Sequence, residues 1–229
     1  MTADRWSSPN FDARPEGASV DMLVLHYTGM PSANDALVRL CNPDAKVSAH
    51  YLVDEDGSVH ALVDEENRAW HAGVAYWRGH TNVNARSIGI ELVNPGHEWG
   101  LKPFPDAQMA ALSALAKDIV VRHAVPARNV VGHSDVAPRR KQDPGELFDW
   151  RRLADVGIGL WPAAGELLSG PSGADVVHLL NEIGYETEDM TATLTAFQRR
   201  FRPESIDGEV DAETAALIDA VAAQARRAD

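Results

Sequence analysis

The chain has 229 residues, enough for one domain or for a domain plus a small module, and its 45% hydrophobic and 24% charged content are those of an ordinary globular protein. With 34 acidic residues against 21 basic ones the net charge is −13, which argues against nucleic acid and anionic membranes as partners, because both reward a basic surface. The single Cys41 excludes an internal disulfide framework and a thiolate zinc cluster, and its expected place is the core.

The opening stretch, MTADRWSSPNFDARPEG, lacks the basic start and apolar run of a secretory signal, and no segment approaches the length of a membrane span. The expectation is a cytoplasmic protein, with the periplasm as the alternative if a leader is missing. VDMLVLHY (20–27) is a Val- and Leu-rich run expected to form a buried strand, followed by a helix over 32–41 capped by Ser32 or Asn34. HYLVDEDGSVHALV (50–63) predicts a hairpin around Asp56-Gly57, and SIGIELVN (87–94) a further strand. Apolar residues from Met109 to Val120 recur at helical spacing, with Pro105 in the first turn, so a helix is expected over 105–125. ARNVVGHSD (127–135) returns to strand, and ELFDWRRLA (146–154) reads as a short helix. Strands alternating with helices, one hairpin among them, predict an α/β fold with a central mixed sheet flanked by helices.

The character changes after Trp161. Residues 162–173, PAAGELLSGPSG, read as a linker, and three helices are expected beyond it, over 174–185, 191–201 and 211–224. Phe197 and Phe201, four apart, are expected in the core of this small three-helix domain.

Two histidines, His26 and His133, each end an apolar strand, where side chains from distant segments converge. A catalytic zinc site wants about three protein ligands and an open position. Asp135, two residues past His133, and Asp143, ahead of the Pro144-Gly145 turn, both qualify as the third ligand, and spacing leans only slightly to Asp143. A serine-hydrolase site would need a nucleophile on a sharp turn, yet there is no GxSxG, and Ser134 is adjacent to His133, so their side chains should diverge. Period-two alternation puts Gly89, Glu91 and Val93 on one face of an otherwise apolar strand. Glu91 is either a general base with a raised pKa or an edge charge facing water. Lys141 is either a group that stabilises negative charge on a carbonyl oxygen or, with Arg139 and Arg140, part of a solvated basic loop.

LHYTG (25–29), VSAHYLVDEDGSVHALV (47–63), AWHAG (69–73), NARSIGIELVN (84–94) and GHSDVAPRRKQDPG (132–145) occur in the order and separation of a known family. Over residues 9–160 the chain resembles the zinc-dependent N-acetylmuramoyl-L-alanine amidases of type 2, the AmpD/AmiD-like group with the T7-lysozyme type of fold. The resemblance implies zinc held by His26, His133 and Asp143, with Glu91 as general base and Lys141 stabilising the intermediate. It also implies that His50, Tyr51, Trp70, His71, Asn84 and Ser87 line or support a substrate groove. Metal ligands usually have a supporting partner, and Asp135 or Ser134 is expected to back one. The implied substrate is a muropeptide or larger peptidoglycan, cut between N-acetylmuramic acid and L-alanine in bacterial cell-wall recycling or turnover. WRGHTNVNARSIGIEL (77–92) is closer to the AmiD branch, since AmpD-type enzymes carry an arginine-cysteine-asparagine run where Asn82-Val83-Asn84 stands here. LLNEIGY, AFQRRF and DGEVDAET resemble a peptidoglycan-binding-like domain, giving a catalytic domain at 1–161, a linker at 162–173 and a helical domain at 174–229. A non-catalytic muropeptide-recognition protein on the same fold is the alternative, and a homodimer is left open.

Overall fold

The computed structural model describes residues 6–162 and 175–227, so the expected linker lies, from residue 163 onward, outside the described residues. In chain order, β1 (Phe11–Ala13) and β2 (Met22–Tyr27) lead to α1 (Ala33–Leu40), where the Ser32 hydroxyl caps the first turn by accepting from the Asp35 N–H at 3.2 Å. The expected hairpin follows as β3 (Tyr51–Val53) and β4 (Val59–Ala61), with Gly57 at φ +88° in the turn. Next come β5 (Asn67–Ala69), α2 (Val83–Arg86), β6 (Ser87–Leu92), α3 (Gly96–Trp99) and α4 (Asp106–His123). The sheet is completed by β7 (Val130–Gly132), followed by α5 (His133–Val136) and α6 (Trp150–Ala154), and the C-terminal helices are α7 (Val176–Ile183), α8 (Met190–Phe201) and α9 (Ala212–Arg227).

Five strands form one mixed sheet in the order β4-β3-β6-β2-β7, parallel except for β4, and β1 pairs with β5 in a separate small sheet. A parallel centre is covered on both faces, which is why β2 reads as an unbroken apolar run rather than an alternating one. On one face Leu23, Leu25, Ile88, Ile90 and Val130 pack against Met109, Leu112, Ala116 and Ile119 of α4. On the other, Met22, Val24 and Val131 share a core with Leu180, Phe197, Phe201 and Ile218 from the C-terminal helices and with Tyr185, just past α7. Leu52 on that same side is covered by Ala36, Leu37 and Leu40 of α1. Each such side chain contributes about 1.5–3 kcal/mol when fully buried, so the C-terminal helices are a layer of the fold.

Two expected elements are shorter than the sequence suggested. The strand expected over 127–135 runs only from Val130 to Gly132, because the Asp135 carboxylate accepts from the Gly132 N–H at 2.8 Å and draws the chain into the turn of α5. The helix expected over 146–154 begins at Trp150, where Asp149 caps it by accepting from the Arg152 N–H at 3.0 Å. Cys41 ends α1 half-buried, at the margin of the core rather than within it.

Candidate metal centre and groove

β2 and β6 pair in a register that sets His26 beside Glu91, so both side chains stand on the same face of the sheet. β7, on the other flank of β2, ends with Gly132 opposite Leu25, which delivers His133 next to His26. The chain then turns back through Pro144-Gly145 and brings Asp143 to the same point. His26 Nδ1, His133 Nδ1 and Asp143 Oδ2 lie 3.0 Å from one another, all three residues being buried.

The protonation of these rings follows from their other partners. The Ser87 hydroxyl donates to the Val83 carbonyl at 2.7 Å, so its oxygen receives Nε2–H of His71 at 3.1 Å. His71 Nδ1 is therefore an acceptor, and it takes Nε2–H of His26 at 3.0 Å. That leaves His26 Nδ1 as a bare lone pair. His133 Nε2–H donates to the Ala72 carbonyl at 3.0 Å, which bares its Nδ1 as well. Burial, reinforced by His133, lowers the His26 pKa to about 4, and burial followed by His26 holds His71 well below its ordinary value. Burial raises the Asp143 carboxyl, whereas a proton held at Nδ1 of His133 or His26 would pair with it and lower it by more, so its pKa lies below the ordinary value. Two neutral imidazole nitrogens and one carboxylate oxygen thus present their lone pairs to a single point. This donor set repels itself unless a cation joins it, and it suits a metal ion.

The centre opens into a groove of about 690 Å³. α1 forms one wall through Ala36, Arg39 and Leu40, while His97, Glu98 and Trp99 form another. Glu91 faces this groove, and its Oε2 is buried with no hydrogen-bond partner in the protein. Burial first, and the charge of Asp143 second, push its pKa well above the usual carboxylate range. Lys141 lines the groove beside the centre.

The remaining expected site residues separate into three groups. Trp70 and His71 line the groove. His50, Asn84 and Ser87 stand behind it: His50 Nδ1 accepts from the Gly89 N–H at 2.9 Å, and the Asn84 amide oxygen accepts from the Ala72 N–H at 2.8 Å. Tyr51 is not brought to the groove, because its hydroxyl donates to Glu65 Oε1 at 2.8 Å. Asp135 does not reach the three-atom cluster either. In the helical turn of α5 two residues subtend about 200°, so Asp135 points away from His133 where an extended segment would have put both on one side. Ser134 is 4% exposed and is absent from the groove lining. Arg39, Glu98 and Trp99 line the groove without having been singled out from sequence; the exposed Trp99 in a short polar stretch was the available signal.

Gly89 explains how the His71 ring fits. A Cβ at this position would stand 2.4 Å from His71 Cγ. Gly89→Ala is therefore expected to displace His71, release Nε2 of His26 and destabilise the fold by about 1–3 kcal/mol. Thermal melting and metal titration of the variant check this, and parental values in both would show that the ring is not held against the strand.

A family model described as N-acetylmuramoyl-L-alanine amidase matches residues 16–146. The chain is 42% identical to the N-acetylmuramoyl-L-alanine amidase AmiD of Escherichia coli K12, over 88% of this chain and 82% of that protein. The structure of AmiD with anhydro-N-acetylmuramic acid-L-Ala-D-gamma-Glu-L-Lys superposes with a TM-score of 0.82 at 37% identity, covering 92% of each chain. The 1,6-anhydro-N-acetylmuramyl-L-alanine amidase AmpD of Enterobacter cloacae is 38% identical over 64% of this chain and 85% of its own. AMPDH3 of Pseudomonas aeruginosa, in complex with an anhydromuramic pentapeptide, gives a TM-score of 0.83 at 34% identity over 98% of this chain and 99% of that one. With its motifs, its mixed sheet and its His-His-Asp cluster, the chain belongs to the N-acetylmuramoyl-L-alanine amidase family.

Proposed function

We propose that this family member is a zinc hydrolase that breaks the amide bond between the lactyl group of N-acetylmuramic acid and L-alanine in peptidoglycan fragments. His26, His133 and Asp143 would hold the ion. Bound there, zinc would act as a Lewis acid that makes water easier to deprotonate and a carbonyl easier to attack. Glu91 takes the proton of the attacking water at its free Oε2 and hands it to the leaving nitrogen of L-alanine. The Lys141 ammonium offsets the negative charge that grows on the carbonyl oxygen. The products are the muramyl carboxylate and a peptide with a free amino terminus. Residues 174–229 are, in this reading, the peptidoglycan-binding-like module. The proposed setting is muropeptide recycling or turnover in the cytoplasm, with the periplasm as the alternative. Among the described residues no helix is long and apolar enough to cross a membrane.

The observation that supports this reading best is the partnerless Glu91 oxygen on the groove, one strand away from His26. AmiD was captured with an anhydro-muramyl tripeptide, so that compound is the first substrate to try. Incubation with the purified protein is expected to release the L-alanyl peptide, detected by mass spectrometry, and a chelator is expected to stop the release. Cleavage indifferent to chelator, or none at all, counts against the reading.

A further inference from the structure

We infer that the C-terminal helices position the metal centre, acting through Asp135; the inference rests on the metal-site reading above. Only His26 comes from the middle of the sheet. His133 and Asp143 both come from the segment that leaves β7, past the last strand pairing at Gly132. Inside that segment Ser134 N–H donates to the Asp143 carbonyl at 2.9 Å, so the two donors move together. The 72–76 stretch holds one side, through the Ala72 carbonyl and through Tyr76 N–H, which donates to the Val136 carbonyl at 2.8 Å.

The other side is held by the C-terminal helices. Asp135 Oδ1 accepts from the Tyr185 hydroxyl at 2.6 Å, while Oδ2 accepts from Arg200 Nη1 at 2.9 Å and from the Gly132 N–H at 2.8 Å. The three side chains are sealed, with Asp135 1% exposed and Tyr185 0%. The Arg200 guanidinium also lies 4.0 Å from the centroid of the Trp150 ring. Trp150 in turn backs Gly132, where an added Cβ would come within 3.2 Å of its ring and 2.7 Å of Pro144. One guanidinium thus holds Asp135 directly and, through Trp150, backs Gly132, where the segment that carries two of the three donors begins.

Cohesion alone does not call for such a group, because an apolar trio of similar volume packs as well as a buried ion pair or better. What a charged, forked contact adds is direction. It fixes the tilt of α5 and with it the aim of His133 Nδ1. Tyr185 and Arg200 are therefore positioning residues: neither reaches the groove, and both act through Asp135.

The test uses the full chain, as Arg200→Met and Tyr185→Phe, with three readouts. These are the zinc dissociation constant by chelator competition, the visible spectrum of the Co(II)-substituted protein, and the melting temperature. Zinc affinity is expected to fall about 10–100-fold in Arg200→Met and by less, in the same direction, in Tyr185→Phe, with the Co(II) bands shifted in both. Parental affinity and spectrum alongside a lowered melting temperature would reduce the contact to cohesion and overturn the inference. If Arg200→Met does not fold, Tyr185→Phe decides by the same criteria, since it removes a single hydroxyl. A parent chain that binds neither ion overturns the metal-site reading itself, a result distinct from equal binding by parent and variants.

Discussion

Glu91→Gln is expected to lower kcat for muropeptide cleavage about 10²–10⁴-fold while leaving metal content and melting temperature close to those of the parent. The substitution keeps the shape of the side chain and removes its basicity. Glu91 Oε2 has no hydrogen-bond partner, so the amide breaks no contact in the resting protein. The carboxylate stands beside His26 on the adjacent strand and faces the groove, within the region where the scissile carbonyl must sit. Burial and the Asp143 charge raise its proton affinity, which matches a base that must take a proton and give it back near neutral pH. Steady-state kinetics beside metal analysis decide the matter. A variant with parental kcat would assign the proton transfer elsewhere, and one that lost its metal would make Glu91 part of the binding site instead.

Asp143→Ala is expected to abolish metal retention through dialysis, a larger loss than the about 10–100-fold weakening typical of a group that only supports a ligand. Asp135→Ala is expected to fall in that second class. Asp143 Oδ2 lies 3.0 Å from both histidine nitrogens, and its removal leaves two neutral donors with no charge to match a divalent ion. Asp135 spends its oxygens on Gly132, Tyr185 and Arg200. Metal analysis of the two dialysed variants separates the roles, and equal losses would overturn the choice of ligand.

The parts of this architecture that can be read from the chain are those where one residue type permits few structures. The Val/Leu run ending in His26 and the Val130-Val131 pair before His133 mark strands that stop at a site, and Asp56-Gly57 marks the hairpin. Spacing leans only slightly to Asp143 over Asp135, because the choice turns on whether residues 133–136 are extended or helical. A single hydrogen bond from Gly132 to Asp135 decides that. The Ser87–His71–His26 chain was out of reach for another reason: each residue is ordinary in its local sequence, and the chain exists only after β2, β6 and the 70–72 stretch meet. The small sheet of β1 and β5 escaped notice because Phe11–Ala13 and Asn67–Ala69 carry no apolar alternation. Tyr51 shows the converse, a residue within a recognisable motif whose side chain serves Glu65 instead.

The double covering of the sheet also sets an order of events during synthesis. N-terminal segments leave the ribosome first, so β2, β6 and β7 are complete while the helices that cover Met22, Val24 and Val131 are still unmade. Until then the nascent chain has an apolar sheet face open to water and a His133–Asp143 segment without Arg200 behind Asp135. The support behind the proposed metal ligands is therefore complete only with the last helices, and a chain cut short after Trp161 would carry every proposed catalytic group with an apolar sheet face still open to water.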